Sequence, residues 1–216
     1  MIIFHITINY ISCNTGLMKH RFLLFLLLVL GLSACFTPPD VTRAPELKGN
    51  YVLDPTHASV VWRISHVGLS NFTARFDDIR GTLEFDPATP ANSKVEIIID
   101  PLSVSTGDKT FDETISSDYF QADKFTQIRF TSTAVKLTGE NTGIITGNLE
   151  FRGFTVPLSL NTIFNGAGKS FGHKGKTLGF SATGMLKRSD FGLNTLLDFG
   201  IGDEVNLTIE VEFNEV

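Results

Sequence analysis

Apolar and polar residues alternate with a period of two from Tyr51 almost to the end of the chain, and turn-forming residues separate the alternating runs. This alternation is typical of β-strands with one buried face, because successive side chains of a strand point to opposite sides of the sheet. The pattern predicts eight strands. They cover residues 57–66, 72–85, 95–99, 128–130, 145–151, 156–164, 178–186 and 205–213.

The second of these runs does not alternate evenly. Its apolar positions change phase at Asp77 and Asp78, so the residues before and after this pair would face opposite ways on a regular strand. We therefore expect a bulge or a bend at that point.

One stretch, residues 105–120, departs from strand periodicity between the third and fourth predicted strands. Asp108 or Thr110 is suited to cap a helix there, and Phe111 and Ile115 have helical i,i+4 spacing. The segment is predicted to be a short helical insertion.

These elements predict an all-β fold, a single eight-stranded antiparallel barrel with one short helix. A barrel of eight strands has an interior that side chains can fill or that can hold one small ligand. Small residues recur on the predicted inward face, which either leaves room for a ligand or marks bends of the barrel. These residues are Ala74, Gly81, Gly147, Ala182 and Gly184.

The N-terminal region has the order of features found in a secretory signal peptide. A basic start at residues 19–21 precedes nine apolar residues, 22–30, and then small residues up to Cys35. The apolar stretch is shorter than the ~20 residues that cross a bilayer. Residues 32–35, Leu-Ser-Ala-Cys, resemble the lipobox at which bacterial lipoproteins are cleaved and acylated. An ordinary signal peptide with a chance Cys is the alternative.

This interpretation divides the chain into three parts. Residues 1–34 are the leader, in which 18–34 form the lipoprotein signal peptide and 1–17 precede a more plausible start at Met18. Residues 35–50 contain three prolines and little periodicity, which predicts a tether that begins at lipidated Cys35. Residues 51–216 form the barrel domain.

Charge and composition exclude several classes of protein. Without residues 1–34, the chain has 16 Lys and Arg (18 less Lys19 and Arg21) against 23 Asp and Glu, a net charge of −7. No basic block stands out, which argues against a nucleic-acid partner. Of the two cysteines only Cys35 remains, so neither a disulfide framework nor a zinc–cysteine site is predicted. The 19 phenylalanines indicate either a Phe-rich core or an apolar cavity.

The histidines do not predict a metal site. His57 and His66 are nine residues apart and would face opposite ways on one regular strand. His66 shares its predicted face with Trp62 and Ile64, so it either donates to a ligand headgroup or is a core histidine bonded to a backbone carbonyl.

No catalytic group is predicted either. The serines lack the context of a nucleophile elbow, and the acidic pairs 77–78 and 203–204 fall at predicted turns. Residues 166–170 lack the first glycine of a phosphate-binding loop and read better as part of a hairpin loop. Arg188 and Asp190 are expected to form a local salt link that holds the last crossover.

Several short segments, in this order and spacing, resemble the YceI-like family of periplasmic polyisoprenoid-binding proteins, which are lipocalin-like barrels. The resemblance runs from about Tyr51 to Phe213. Phe111 and Thr114 depart from the Arg and His common in the family's helical segment. The segments are DPTH (54–57), GTLEFD (81–86), SVST (103–106), DYF (118–120), IRFTS (128–132), GNL (147–149), GFTVP (153–157), RSDFG (188–192) and GDEV (202–205).

The resemblance implies a binding protein, not an enzyme, that holds a long isoprenoid such as a polyprenyl phosphate or an isoprenoid quinone in an apolar lumen, with no other cofactor. Alternatives are a structural or interaction protein with a filled barrel, and an enzyme acting on a lipid-like substrate. Face alternation predicts the lumen walls. They are Val60, Trp62, Ile64, His66, Phe76, Leu83, Leu149, Leu158, Phe180 and Leu186.

The leader and the resemblance together place the protein in the bacterial cell envelope, facing the periplasm and anchored to a membrane through Cys35. Phe36 follows the cysteine instead of the Asp associated with inner-membrane retention, which favours the outer membrane. Two barrels could pair through an exposed face, and the homodimer that this would form is an expectation for the partner.

Overall fold

Ten strands and a short helix form the part of the chain that the computed structural model describes, residues 38–170 and 172–216. Within these residues we find no helix with both the length and the apolar character needed to cross a membrane. The predicted leader and Cys35 lie outside the described residues. The strands are β1 (Gly49–His66), β2 (Ser70–Phe76), β3 (Ile79–Phe85), β4 (Lys94–Ile99), β5 (Val104–Ser105), β6 (Ile128–Leu137), β7 (Thr142–Phe151), β8 (Phe154–Gly168), β9 (Thr177–Lys187) and β10 (Ile201–Glu215).

The sheet closes because β1 pairs with β10 along almost its whole length, from Tyr51 opposite Glu215 to His66 opposite Ile201. Every pairing is antiparallel, and the strand order is β10-β9-β8-β7-β6-β4-β3-β1-β2-β5. Closure leaves no free edge between the first and last strands. The predicted all-β barrel is therefore confirmed.

Ten strands fill eight positions around the barrel. β2 and β3 both pair with β1, β2 along its second half and β3 at its start, so they occupy one position. β4 and β5 share the next position in the same way, because they pair with β3 and β2 respectively. The break between β2 and β3 falls at Asp77 and Asp78, where the phase change predicts a bend.

The helix α1 (Lys109–Thr114) follows β5, the second half of the third barrel position, and continues into a π-helical turn, Ile115–Tyr119. Asp108 caps it, since its carboxylate accepts hydrogen bonds from the amides of Thr110 and Phe111 at 2.9 and 3.3 Å. Asp108 is thus the N-cap, and Thr110 is not.

The base of the barrel, the end where β1 begins and β10 ends, is closed by the segment that precedes β1. The Asp40 amide and carbonyl pair with Ala167, and Leu47 is buried after a single 3-10 turn. The phenol of Tyr51 donates to the Leu47 carbonyl at 2.8 Å. Residues 40–50, expected to belong to a tether, thus pack on the barrel, and β1 starts two residues before the predicted domain boundary.

The inward-facing glycines admit the side chains of neighbouring strands. A Cβ on Gly147 would lie 2.5 Å from Cζ of Phe130 and from the Thr131 carbonyl oxygen. On Gly184 it would lie 2.6 Å from Cδ2 of Leu160. The space that these glycines leave is therefore filled by their neighbours and adds nothing to the lumen.

Replacement of Gly147 by Ala should lower the free energy of unfolding by about 1–3 kcal/mol, because the new methyl group meets a ring and a backbone oxygen that cannot both move. Urea denaturation measures the difference. Gly168→Ala is the matched control, since a Cβ there meets nothing within 4 Å. Equal stability of the two variants would contradict this account of the glycines.

We expect the folded protein to lose stability in alkaline solution, because the buried Tyr51 phenol at the base of the barrel then ionises. Burial, with a smaller effect of the Glu215 carboxylate, raises the pKa of Tyr51 from 10.0 to about 12. The unfolded chain therefore loses this proton first, so the stabilisation is complete below pH 10 and disappears as the pH rises towards 12. Tyr51→Phe should flatten this part of the stability profile, as measured by urea denaturation between those pH values. If Tyr51→Phe loses as much free energy of unfolding between these pH values as the wild type, the assignment of the loss to Tyr51 is contradicted.

Candidate ligand-binding site

The interior of the barrel is a cavity of about 580 Å³. It extends from the end of the barrel where β1 meets β2, lined there by His66, Phe72 and Phe111, towards the base at Phe180 and Phe213. Its volume lies within the ~300–1,000 Å³ typical of small-molecule sites. We call the end near His66 the mouth, because the exposed lining residues His66, Phe111, Thr195 and Leu196 lie there.

Apolar side chains make up nearly all of the wall. Trp62, Phe180 and Leu207 are only partly buried, although they face inward, because the interior is not filled. The described lining residues contain no Asp, Glu or Lys. Those that carry a polar atom are Trp62, His66, Tyr119, Thr162, Arg188 and Thr195.

All ten residues predicted from strand alternation line this cavity: Val60, Trp62, Ile64, His66, Phe76, Leu83, Leu149, Leu158, Phe180 and Leu186. The strand register explains their convergence, since Trp62 lies opposite Leu207 and Ile64 lies opposite Val205 across the closing β1–β10 pair. Placement on the wall is an observation, whereas ligand contact by these residues stays a prediction.

Parts of the wall come from segments whose sequence gave no such signal. Phe111 reaches the cavity from α1, Ile115 from the π-helical turn and Phe120 from directly after that turn. Leu193 and Leu196 reach it from the loop before β10. The i,i+4 pair Phe111 and Ile115 marked an apolar helix face, but only tertiary structure shows which cavity that face closes.

An aromatic cluster surrounds Trp62 in the half of the cavity nearer the mouth. The Trp62 ring centroid lies 5.8 Å from that of Phe72 and 6.5 Å from that of Phe120. Phe72 in turn packs edge-on against Phe111 at 5.4 Å. The buried Trp62 Nε1 has no hydrogen-bond partner among the described residues, so it is a donor available to a ligand acceptor.

His66 is exposed at the mouth and makes no side-chain hydrogen bond among the described residues. The interpretation as a core histidine bonded to a carbonyl is therefore wrong. β1 ends at His66, so its side chain lies at the rim and not deep between the strands.

Arg188 organises the loop that forms one side of the mouth. Its Nε donates to the Gly202 carbonyl and its Nη1 to those of Leu193 and Thr195, each at 2.7 Å, and Nη2 donates to Ile201 at 3.0 Å. Only 7% of the residue is exposed. Burial lowers the pKa of its guanidinium, and the nearby Asp203 carboxylate and Tyr119 partly oppose this effect.

The expected salt link between Arg188 and Asp190 is not formed. Among the described residues Arg188 has no carboxylate within ion-pair distance, and Asp190 is exposed. Asp203 instead accepts hydrogen bonds from the amide and hydroxyl of Ser189, at 2.9 and 2.8 Å. Arg188 does hold the connection between β9 and β10, but through backbone carbonyls and not through a salt link.

Outside the barrel, Asp54, His57 and Glu212 gather at a bulge of β1. His57 Nδ1 lies 3.1 Å from Asp54 Oδ2 and 4.0 Å from Glu212 Oε2. Hydrogen bonds from Thr56 hold the pKa of Asp54 far below its usual range, and the bond to Asp54 raises that of His57. Because the Asp54 oxygens are already bonded within the bulge, we assign this cluster a structural role. His57 and His66 do not meet.

A closed antiparallel barrel with an apolar, ligand-sized cavity open at one end places this chain in the class of lipocalin-like binding barrels. Residues 51–213 match the YceI-like domain model, and the chain belongs to that family. A UPF0312 protein of Pseudomonas savastanoi pv. phaseolicola is 39% identical over 157 residues, which cover 71% of this chain and 81% of that protein.

Solved structures share the fold. A Campylobacter jejuni YCEI protein is similar with a TM-score of 0.61 and 31% identity, covering 71% of this chain and 90% of that one. A polyisoprenoid binding domain from Saccharophagus degradans, described as implicated in plant cell wall breakdown, has a TM-score of 0.57 and 18% identity. It covers 77% of this chain and 98% of that one, and at this identity it speaks to the fold alone.

Arg188→Met should lower the free energy of unfolding by about 2–4 kcal/mol, because four carbonyls lose a charged donor in a buried setting. Urea denaturation measures the change, and amide hydrogen exchange should rise selectively at residues 193–201. Arg63→Met is the matched control, since Arg63 is exposed on β1 and makes no ion pair among the described residues. A loss no larger than in the control would refute the role given to Arg188.

Proposed function

We propose that this protein holds one long amphiphilic isoprenoid, such as a polyprenyl phosphate or an isoprenoid quinone, or a similar lipid, with its apolar tail in the barrel lumen. The observation that carries the proposal is the cavity of about 580 Å³ with almost wholly apolar walls. The Saccharophagus degradans domain, whose fold this chain shares, is described as polyisoprenoid-binding, and we extend that ligand class to this chain as part of the proposal.

Burial of the tail supplies the affinity. Each CH₂ group removed from water contributes roughly 0.8 kcal/mol, so a five-carbon isoprene unit contributes up to about 4 kcal/mol before the costs of association. A few units suffice without any ionic contact. Since one methylene discriminates by little, selectivity among apolar chains is loose.

The polar head stays at the mouth. Arg188, Tyr119, His66 and Thr195 are the polar lining residues near that end, whereas the wall towards the base offers only the Thr162 hydroxyl. Arg188 makes no ion pair among the described residues, although Asp203 is near enough to favour its charged form, so its charge favours an acidic head such as a phosphate. Trp62 Nε1, which has no hydrogen-bond partner among the described residues, suits an acceptor oxygen further inside.

In the cell, we place the protein in the periplasm-facing envelope, anchored by acylated Cys35 and with the outer membrane favoured. Near the start of the described residues, Asp40 pairs with Ala167 at the base. Homodimer formation stays a prediction. The proposed function is carriage or sequestration of the lipid, since the described lining is almost wholly apolar.

A filled barrel with a purely structural role fits less well, because the interior is not packed from end to end. An enzyme acting on a lipid-like substrate is the remaining alternative. No observation favours a particular reaction.

Ala182→Phe should weaken isoprenoid binding at least about tenfold, the equivalent of ~1.4 kcal/mol, because the ring takes lumen space otherwise open to the tail. Ala182 lines the cavity, whereas its neighbour Thr183 is exposed, so Thr183→Phe is the matched control. The emission of Trp62, the single tryptophan of the chain, reports the titration with a detergent-solubilised isoprenoid quinone, which quenches it on entry.

Circular dichroism establishes that both variants fold. Saturable quenching in wild type and in Thr183→Phe, but not in Ala182→Phe, supports lumen binding. Absence of quenching and of any thermal stabilisation by quinone or polyprenyl phosphate in the wild type would overturn the proposed function.

A further inference from the structure

The mouth is surrounded by exposed apolar side chains, which we call the mouth rim: Val67, Leu69, Phe111, Leu196 and Phe199. Leu69 is 88% and Phe199 76% exposed, and among the large apolar residues that the structure describes only the C-terminal Val216, at 85%, exposes a comparable fraction. Grouped apolar exposure of this kind marks an interaction site, whereas single exposed residues are ordinary.

Backbone hydrogen bonding and backbone conformation fix the position of the mouth rim. The Val67 amide donates to the Gly200 carbonyl at 2.8 Å and so joins the β1–β2 turn to the loop before β10. Val67 and Leu196 have φ angles of 48° and 63°, a left-handed conformation that is unfavourable for such side chains. The fold thus holds apolar groups towards water in a backbone conformation that they do not favour.

Phe111 and Leu196 belong both to the rim and to the wall of the cavity. An apolar surface therefore leads from the outside of the molecule into the lumen. We propose that the mouth rim inserts into the interface of a lipid bilayer, so that a tail passes between bilayer and lumen without crossing water. This inference rests on the proposed function, since it takes the ligand to be a membrane lipid.

The charged groups near the rim are few in the two loops and mostly acidic around α1. In the loops, residues 67–69 and 196–200, Asp198 is the single charged residue, whereas Phe111 is flanked by Asp108, Lys109, Asp112 and Glu113. The whole chain has a net charge of −5. Attraction to anionic lipids is therefore not expected. The rim should partition into zwitterionic membranes by apolar burial, with little dependence on salt.

The protein's own N-terminal segment, once processed at Cys35, is too short to cover the rim. Asp40 is held at the base by Ala167, and the five steps from Cys35 to Asp40 span at most ~18 Å. Thirteen steps of β8 lead from Ala167 to Phe154 at the other end, ~43 Å of strand or ~30 Å of barrel height at the usual tilt. An acylated Cys35 and the mouth rim therefore enter the same bilayer only when the barrel axis is tilted towards the membrane plane.

Flotation with phosphatidylcholine vesicles tests the proposal on the mature chain from Cys35, produced without acylation; every strand lies within the compact unit Pro39–Val216. Wild type should float with the vesicles, and about 0.5 M NaCl should change the bound fraction less than twofold. The double variant Leu69→Ser, Phe199→Ser should lower the partition coefficient at least about tenfold. Ile163→Ser with Met185→Ser, exposed residues on the outer wall, is the control and should leave it unchanged.

A second measurement separates docking from lumen binding. The rim variant should take up a fluorescent isoprenoid from vesicles at least about tenfold more slowly than wild type, yet bind the detergent-solubilised isoprenoid with unchanged affinity. If the wild-type protein does not float with vesicles although Trp62 reports lipid uptake, the inference is overturned and the proposed function stays intact.

The inference is equally overturned if the rim and control variants float alike. The same holds if sedimentation velocity shows that the rim substitutions only convert a dimer to a monomer.

Discussion

The pairing of β1 with β10 is the constraint on which the rest of the structure depends. It closes the sheet from Tyr51 opposite Glu215 to His66 opposite Ile201, and closure assigns one face of every strand to the interior. Because the inward side chains of an eight-position barrel need not fill its axis, the same pairing that satisfies the backbone also creates the cavity. The lumen is thus a consequence of closure, and its apolar walls follow from strand alternation.

The two ends of the barrel differ because different segments cover them. At the base, Leu47 and Tyr51 join a cluster of Phe85, Phe164, Phe180 and Phe213. At the mouth, the covering loop has few buried apolar groups and is held by polar bonds, above all those of the Arg188 guanidinium to four carbonyls and that of the Val67 amide to the Gly200 carbonyl. One end is therefore packed and the other is built from polar bonds around an opening, which gives an amphiphile a defined direction.

Alternation of apolar and polar residues was enough to predict the barrel and ten residues of its wall, because a period of two translates directly into inward and outward faces. It missed what depends on contacts distant in sequence. The segment 40–50 lacks periodicity, yet it packs on the base; β2 and β3 divide at Asp77 and Asp78 but share one position. Arg188 stands near Asp190 in sequence, but carbonyls of the following loop and of β10 are its partners.

The central claim is that the cavity of about 580 Å³ exists to hold a hydrocarbon tail. Native mass spectrometry of the protein, extracted from its own membranes and sprayed under gentle conditions, tests it most directly. The account predicts a mass excess equal to one lipid per barrel, which is released on collisional activation and is greatly reduced in Ala182→Phe. A bare protein mass that stays unchanged when isoprenoid lipids are added would contradict it.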